Sequence, residues 1–236
     1  MFISLVFQLE QPILPSRERH FGALWRIAQL FEPFGLPIDT WRPPAPTRKK
    51  SLAHPAFDRN GPTSAALEFQ RIQDEKDGMA DYRSAGVWSG KEKGRGGAFS
   101  VSFSSNPNLP TCLLDVQFDE IDELHQASNM LKFMRGLLDI WPLAFSIEVG
   151  PFRYYTRHQV FPKRLGAGWM IYLPKPITRE RLPEAADLVP VTKSGKQQGT
   201  IVVSVSEGPF SIENPEHIKI ANAIEVRLAD QDLLPR

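Results

Sequence analysis

The carboxyl-terminal segment, Gly199 to Arg236, constrains the fold most, because it predicts a strand, a turn and a capped helix in that order. From Thr200 to Ser206, apolar side chains alternate with a second set that includes two serines, which is the pattern of a half-buried strand. The strand is predicted to end at Glu207-Gly208-Pro209. Asn214 then offers an oxygen for the N-cap of a helix, and Pro215 suits the first helical position.

Other stretches carry the spacing of amphipathic helices. One is predicted to begin after Ser16, one after Thr63, one to run from Ile121 to Trp141, and a short one to cross Arg179 to Ala186. The side chains predicted to point inward include Phe21, Leu24, Trp25, Ala28 and Phe31 in the first helix, Ala66, Phe69 and Ile72 in the second, and Ile218, Ala221 and Leu228 in the last.

Runs of adjacent strands indicate the fold class. Three strands in succession are predicted at Asp81 to Trp88, Ala98 to Ser104 and Thr111 to Phe118, and a later hairpin has its loop at Lys193 to Gly199. Strands grouped in this way favour an α+β fold, with a mixed, largely antiparallel sheet and helices packed on it. We expect residues 1–236 to form a single domain.

The composition excludes several classes of protein. A hydrophobic share of 42% argues against disorder, and a formal net charge of +1 provides no overall field for a polyanion. The lone cysteine, Cys112, excludes an intramolecular disulfide. The start, Met1 to Phe7, resembles a strand more than a secretory signal, and no apolar run is long enough to span a membrane. We therefore expect a soluble cytoplasmic protein.

The sequence lacks the familiar catalytic motifs, and we expect neither an enzyme nor a cofactor. The glycine-rich stretch from Gly90 to Gly97 joins two strands, whereas a phosphate loop would lead into a helix. Cys112 opens an apolar strand, which favours a buried thiol over a nucleophile. The five histidines are scattered without the spacing of metal ligands.

An acidic run joins the end of a predicted strand to the start of a predicted helix. Carboxylates at a helix start stabilise its dipole, and this structural role is the first interpretation. The second is a patch that binds a basic partner, and the third, the weakest, is a divalent-cation site. The residues of the run are Asp115, Asp119, Glu120, Asp122 and Glu123.

A second candidate segment, Phe152 to His158, interleaves aromatic rings with cations. Proteins that bind single-stranded nucleic acid use this pattern, but Tyr and Arg are equally typical of protein interfaces. Arg153, Tyr154 and Tyr155 are therefore candidate contacts for a partner.

The second half of the chain resembles immunity protein family 52 of the bacterial polymorphic toxins. The likeness rests on Gly168 to Pro174, Leu182 to Val191, Gly199 to Ser204, and Asn214 through Pro235. It implies a non-enzymatic α+β protein that silences a toxin encoded beside it, commonly a type VI secretion effector with a restriction-endonuclease-like nuclease domain. Within that interpretation, the acidic run is the best local complement to such a toxin, because the whole chain is close to neutral.

Alternatives stay open beside this interpretation. One is an enzyme or small-ligand-binding protein with an acidic site, bordered by Asp115, Glu148 or His158. A weaker one is nucleic-acid binding through Arg48 to Lys50 and Arg153 to Arg157. We expect a toxin partner, no nucleic acid, no membrane and no metal, and a homodimer is compatible with the sequence.

Overall fold

The computed structural model describes residues 1–92, 96–119 and 121–235. Helices and strands are both abundant there, which confirms the predicted α+β class. The strands are β1 (Phe2–Gln8), β2 (Phe57–Asp58), β3 (Gly61–Pro62), β4 (Tyr82–Trp88), β5 (Gly96–Ser104), β6 (Thr111–Asp119), β7 (Ser146–Gly150), β8 (Met170–Leu173), β9 (Asp187–Lys193) and β10 (Lys196–Val203). The α-helices are α1 (Arg17–Phe31), α2 (Arg48–Leu52), α3 (Ser64–Asp77), α4 (Ala127–Ile140), α5 (Phe152–Arg157) and α6 (Pro215–Asp230).

Eight strands form a sheet in the order β4-β5-β6-β1-β7-β8-β10-β9. The pairings of β4 with β5, β5 with β6, β7 with β8, β8 with β10 and β10 with β9 are all antiparallel, which confirms the predicted sheet type.

The chain divides into two compact units. The first, which we call the β4–β6 unit, comprises Val6–Glu123 and Gly136–Leu143. The second, the β7–β10 unit, comprises Met1–Leu5, Leu124–Arg135 and Ala144–Arg236. That the chain is a single domain stays a prediction.

In the β4–β6 unit, helix α1 covers one face of the strands. The helix begins where Ser16 accepts a hydrogen bond from the Arg19 N–H, as its N-cap pattern predicts. Phe31 of α1 stacks on Phe99 of β5 with ring centroids 5.8 Å apart, and Trp41 meets Phe99 edge-on at 4.6 Å. Phe99, Val101 and Phe103 are buried at alternate positions, which confirms that β5 has one buried face.

Strand β4 is an edge strand whose outer edge is already occupied in two places. Arg42 pairs with Trp88, and each residue donates its N–H to the other's carbonyl, at 2.8 and 3.1 Å. The side-chain amide of Gln70 in α3 donates to the Ser84 carbonyl at 3.1 Å. Gln70 is therefore buried, whereas Ile72 is 51% exposed. The prediction that Ile72 points inward was wrong, because the face of α3 that meets β4 carries the amide instead.

In the β7–β10 unit, strand β8 and residues 199–203 of β10 are covered on both faces. Every residue from Gly199 to Val205 is buried, so the prediction of a half-buried strand was wrong. Ser204 accounts for the difference, because its hydroxyl lies 2.7 Å from the Gly168 carbonyl, to which it donates, and a satisfied hydroxyl can be buried. At the edge of the sheet, β9 contains Pro190, which has no N–H to offer.

The turn between β9 and β10 is tighter than predicted. Ser194 and Gly195 both have positive φ, 51° and 74°, which is the geometry of a two-residue type I′ turn. Strand β10 therefore begins at Lys196, within the segment predicted to be a loop.

Helix α6 follows the capping prediction closely. The Asn214 side chain accepts from the Glu216 N–H at 3.0 Å, and Pro215 occupies the first helical position. Ala221 and Leu228 are buried as predicted, whereas Ile218 is only half-buried.

Two helix predictions need correction. No helix crosses Arg179 to Ala186 among the described residues; the chain forms turns there, since Pro183 cannot donate a helical hydrogen bond and Arg179 binds the Ala185 carbonyl. The predicted helix from Ile121 to Trp141 is divided into a 3-10 turn (Asp122–His125) and α4, because the first turn takes the tighter form common at helix starts.

Candidate partner-binding face

Three strands of the β4–β6 unit leave one of their two faces accessible. Opposite the face covered by α1, the side chains are small, polar or half-buried. We call this surface the open face. Its residues are Tyr82, Ser84, Gly86 and Trp88 of β4, Ala98, Ser100 and Ser102 of β5, and Leu113, Asp115, Gln117 and Asp119 of β6.

Hydroxyl groups connect one end of the open face. The Tyr82 hydroxyl lies 3.0 Å from Ser102 Oγ, which lies 3.0 Å from Ser84 Oγ. In the next row, Gly86 lies opposite Ser100, which lies opposite Asp115 on β6. This row leads from a position with no side chain to a carboxylate.

A groove of about 330 Å³ lies over this row. Trp88 and Pro44 form its walls, with Gly86, Ala98 and Ser100 below them. Among its lining residues in the described part of the chain, Asp115 carries the one formal charge. We call this cavity the Trp88 groove.

A second groove of about 330 Å³ shares the Trp88 wall and carries charges of both signs. Arg48, at the start of α2, places its guanidinium 5.7 Å from the centre of the Trp88 ring, within the range of a cation–π contact. The other charged residues that line it are Lys91, Glu92 and Asp119.

The structure separates the residues of the acidic run. Asp115 and Asp119 lie four residues apart on β6 and belong to the open face. Asp122 and Glu123 are exposed in the 3-10 turn that follows. Glu120 lies outside the described residues. The run thus supplies carboxylates to a sheet face and to an adjacent turn of the same unit.

The second predicted segment forms α5 in the β7–β10 unit, and its residues differ in exposure. Arg153 is exposed, but Tyr154 is fully buried, with its hydroxyl 2.5 Å from Glu225 Oε1 and 3.0 Å from Asn222 Oδ1. The Tyr155 hydroxyl is also buried, with no hydrogen-bond partner among the described residues. A molecule that docks on the folded protein would therefore not reach the Tyr154 side chain.

Glu225 is a buried carboxylate that the sequence analysis did not single out. It accepts from the Tyr154 hydroxyl and from the N–H groups of Val160 (2.7 Å) and Ala167 (2.9 Å). Burial raises the pKa of Glu225, and the hydrogen bonds oppose that rise. Its position was visible in the sequence, because it falls on the same helical stripe as Ala221 and Leu228.

Glu148 is a second carboxylate of the same unit. It accepts from the Gly166 N–H at 2.6 Å, and burial, with a smaller contribution from the charge of Glu225, raises its pKa to about 7. The bond to Gly166 and those of Glu225 tie the segment between α5 and β8 to β7 and α6.

Glu148→Gln tests the protonation of this carboxyl group. Because the folded-state pKa is raised, the protein binds more protons than its unfolded chain, so stability falls as the pH rises from about 4.5 to about 7. We expect the variant to match the original near pH 4.5 and to exceed it by up to about 3 kcal/mol at pH 8. Urea unfolding across that range measures the difference, with Glu213→Gln as an exposed control. A difference that does not change with pH would contradict the assignment.

Two other titratable residues are internal to the β4–β6 unit. His20 Nε2 lies 2.9 Å from the Val101 carbonyl, to which it donates, and burial lowers the pKa of His20 to about 4. Cys112 is buried, as predicted, and burial raises the pKa of its thiol. Neither side chain is placed for chemistry at the surface.

Membrane-spanning helices and metal sites were both sought among the described residues. No helix there is both long and apolar enough to cross a bilayer. No group of three or more His, Cys, Asp and Glu side chains gathers there as ligands for a metal ion.

Comparison with known proteins yields a likeness of fold. No family model matches the chain, and no curated protein matches it at a significant level. Among solved structures, the chain is similar to a T6SS (type VI secretion system) protein of Pseudomonas aeruginosa, with a TM-score of 0.50 and 12% sequence identity. The match covers 95% of this chain and 72% of that chain. At this identity the two proteins share a fold, and the likeness carries no residue roles from one to the other.

Proposed function

We propose that this chain is an immunity protein that binds and neutralises a cognate bacterial toxin, a type VI secretion effector with a restriction-endonuclease-like nuclease domain. The observation that carries the proposal is the fold shared with a T6SS protein over 95% of the chain. The resemblance of the sequence to immunity protein family 52 implies the same secretion system. Inhibition by binding requires a surface and no catalytic group, and the open face provides such a surface.

The open face has the composition of a protein-binding surface. Tyr82 and Trp88 are accessible aromatic residues on a rigid sheet, and small residues between them allow a partner to approach the backbone closely. Protein interfaces favour aromatic anchors of this kind over aliphatic ones. We therefore assign toxin binding to the open face, and not to the buried Tyr154.

Size shows that the open face cannot be the whole interface. Three strands at about 4.8 Å spacing and seven residues at about 3.3 Å each cover roughly 330 Å². A stable complex buries about 800 Å² on each partner. The interface therefore extends to neighbouring segments of the same unit, and the 3-10 turn with Asp122 and Glu123 and the helix α2 with Arg48 are the adjoining candidates.

Charge supports the choice of a nuclease as the toxin. Nucleases bind the phosphate backbone through basic residues. Asp115 and Asp119 on the open face, together with Asp122 and Glu123 beyond it, offer carboxylates to such a surface. The carboxylates supply this complementarity locally, beside the cations Arg48 and Lys91 of the second groove, without requiring a strongly acidic protein.

Ala98→Arg tests the proposal. Ala98 is exposed on β5, the middle strand of the open face, and lines both grooves, so a long cationic side chain there would obstruct the partner. We expect affinity for the toxin encoded by the adjacent gene to fall by about 100-fold, as for a central interface residue, and protection of toxin-expressing cells to be lost. Calorimetry and a rescue assay measure the two effects.

Ala186→Arg is the matched control, because Ala186 is an exposed alanine directly before β9 in the β7–β10 unit. Full affinity and rescue with folded Ala98→Arg would show that the toxin binds elsewhere. If the original protein neither binds nor neutralises the toxin, the immunity function itself is wrong.

A further inference from the structure

We propose that residues 158–168 form a latch that a proton on Glu148 keeps closed, and that the loss of this proton lets the segment open locally. This latch segment joins α5 to β8. All the residues that carry the inference belong to the β7–β10 unit, and the inference does not rest on the proposed function.

The latch segment holds its own shape. The side-chain amide of Gln159 donates to the carbonyls of Phe161 and Arg164, at 2.6 and 3.2 Å, and the Arg164 N–H donates to the Phe161 carbonyl at 2.9 Å. The Arg164 guanidinium lies over the Phe161 ring and makes one long contact, 3.5 Å, with the Leu234 carbonyl. Internal bonds of this kind are typical of a compact loop, which can move as one body.

Two carboxyl groups fasten the latch segment to the elements beside it. Glu225 of α6, which is buried, accepts from the N–H groups of Val160 and Ala167, at 2.7 and 2.9 Å. Glu148 of β7, which is half-buried, accepts from the Gly166 N–H at 2.6 Å. The closed position of the segment therefore depends on acceptors whose charge changes with pH.

The closed position is also tightly packed around Tyr155. A Cβ atom added at Gly166 would lie 2.8 Å from Tyr155 Cδ1, and one added at Gly150 would lie 2.9 Å from the Tyr155 hydroxyl oxygen. Closely packed surfaces take up discrete arrangements and do not deform continuously. The segment is therefore expected to be either seated or displaced, as a latch requires.

The two carboxyl groups have no cation to balance them. Neither Glu148 nor Glu225 makes an ion pair within the described residues, and the titratable groups that face them are each other and the hydroxyls of Tyr154 and Tyr155 on α5. Burial raises the pKa of Glu148 to about 7, and the charge of Glu225 adds to the rise. Burial also raises the pKa of Glu225, but the hydrogen bonds that this carboxylate accepts oppose the rise.

Loss of the Glu148 proton places a second negative charge near that of Glu225. Displacing the latch segment admits water to both carboxylates, and hydration favours their charged forms. Because the pKa of Glu148 is higher in the closed state than in water, opening becomes more favourable as the pH rises from about 4.5 to about 7. The open state would also uncover the Tyr154 side chain, which the closed state buries.

Hydrogen exchange followed by NMR tests the inference. The N–H groups of Val160, Gly166 and Ala167 donate to the two carboxyl groups, so each exchanges when the segment opens. We expect their protection factors, which are corrected for base catalysis, to fall roughly 70-fold between about pH 5 and about pH 8. In Glu148→Gln the fall should shrink to less than about tenfold, the part left to the second carboxyl group. Glu213→Gln, an exposed control, should keep the full effect, and a full effect in Glu148→Gln would overturn the inference.

Dilute urea separates local opening from unfolding of the whole unit. A local opening exposes little surface, so urea below the unfolding transition should not accelerate the exchange of the three amides. The amide of Val202, buried in β10, should exchange faster as urea is added. If the three amides accelerate as Val202 does, the segment opens only when the unit unfolds, and the latch is wrong.

Discussion

Glu225→Gln is expected to lower the free energy of unfolding by about 2–4 kcal/mol, the range for losing hydrogen bonds to a buried charged group. The carboxylate accepts from the Tyr154 hydroxyl and from two backbone N–H groups, through both of its oxygens. A glutamine retains one acceptor oxygen and turns an NH2 group toward donors. At least one of Tyr154, Val160 and Ala167 then loses its acceptor inside the protein.

Urea unfolding measures this loss, and the same helix provides a control. Glu216 lies in the first turn of α6, and its exposed side chain is 3.5 Å from Lys219. Glu216→Gln should change the stability by no more than about 0.5 kcal/mol, as surface substitutions usually do. If the two variants lost the same free energy of unfolding, the hydrogen bonds of the buried Glu225 would contribute no more than an exposed side chain does.

The hydrogen bond from Tyr154 to Glu225 can also be removed from the tyrosine side. Tyr154→Phe removes one donor and leaves the bonds of Glu225 to Val160 and Ala167 intact. The free energy of unfolding should therefore fall less in Tyr154→Phe than in Glu225→Gln. A larger loss would place the main contribution at the tyrosine.

Gly199→Ala is expected to destabilise the protein by about 2–3 kcal/mol, the upper range for overpacking a core. An added Cβ would clash with the Leu173 carbonyl oxygen, which is backbone and cannot turn aside, and would lie 2.5 Å from Tyr172 Cε2. Gly199 also lies at the register shift between β10 and β9. Gly199, the first residue of the carboxyl-terminal segment, is thus required by the atoms packed around it and not by an unusual backbone conformation.

Thermal and urea unfolding measure this effect against Gly22→Ala. An added Cβ at Gly22, in the middle of α1, meets no atom within 4 Å. That variant should gain up to about 1 kcal/mol from helix propensity. If Gly199→Ala were also neutral or stabilising, the strands around β10 would be packed less tightly than the structure indicates.

Local signals predicted the elements of the fold well. Ser16, Thr63 and Asn214 each cap the helix that follows them, because a cap depends on a few adjacent residues. The alternation at Phe99, Val101 and Phe103 was equally reliable for the inner face of β5. Prediction failed where distant residues decide: Ser204 is buried because the Gly168 carbonyl is there to accept its hydrogen.

The candidate site was predictable only in part for the same reason. The sequence placed Asp115 and Asp119 in an acidic run but could not show that Asp115 lies beside Trp88 and Pro44, or Asp119 beside Trp88. Pro44, Gly86 and Ser100 come from separate segments. The register of β4 and β5 places Gly86 opposite Ser100, and the Arg42–Trp88 bridge brings the segment that contains Pro44 beside them. Tyr154 illustrates the opposite error. Its sequence motif is typical of interfaces, but its side chain is buried inside the protein.

The occupied edges of the sheet have a consequence for the storage of the protein. Exposed strand edges are templates on which further chains can add and aggregate. Arg42 and Gln70 fill positions along β4, and Pro190 interrupts the donors of β9. These features limit the addition of further chains at both edges of the sheet, and they favour a chain that stays unpolymerised at high concentration.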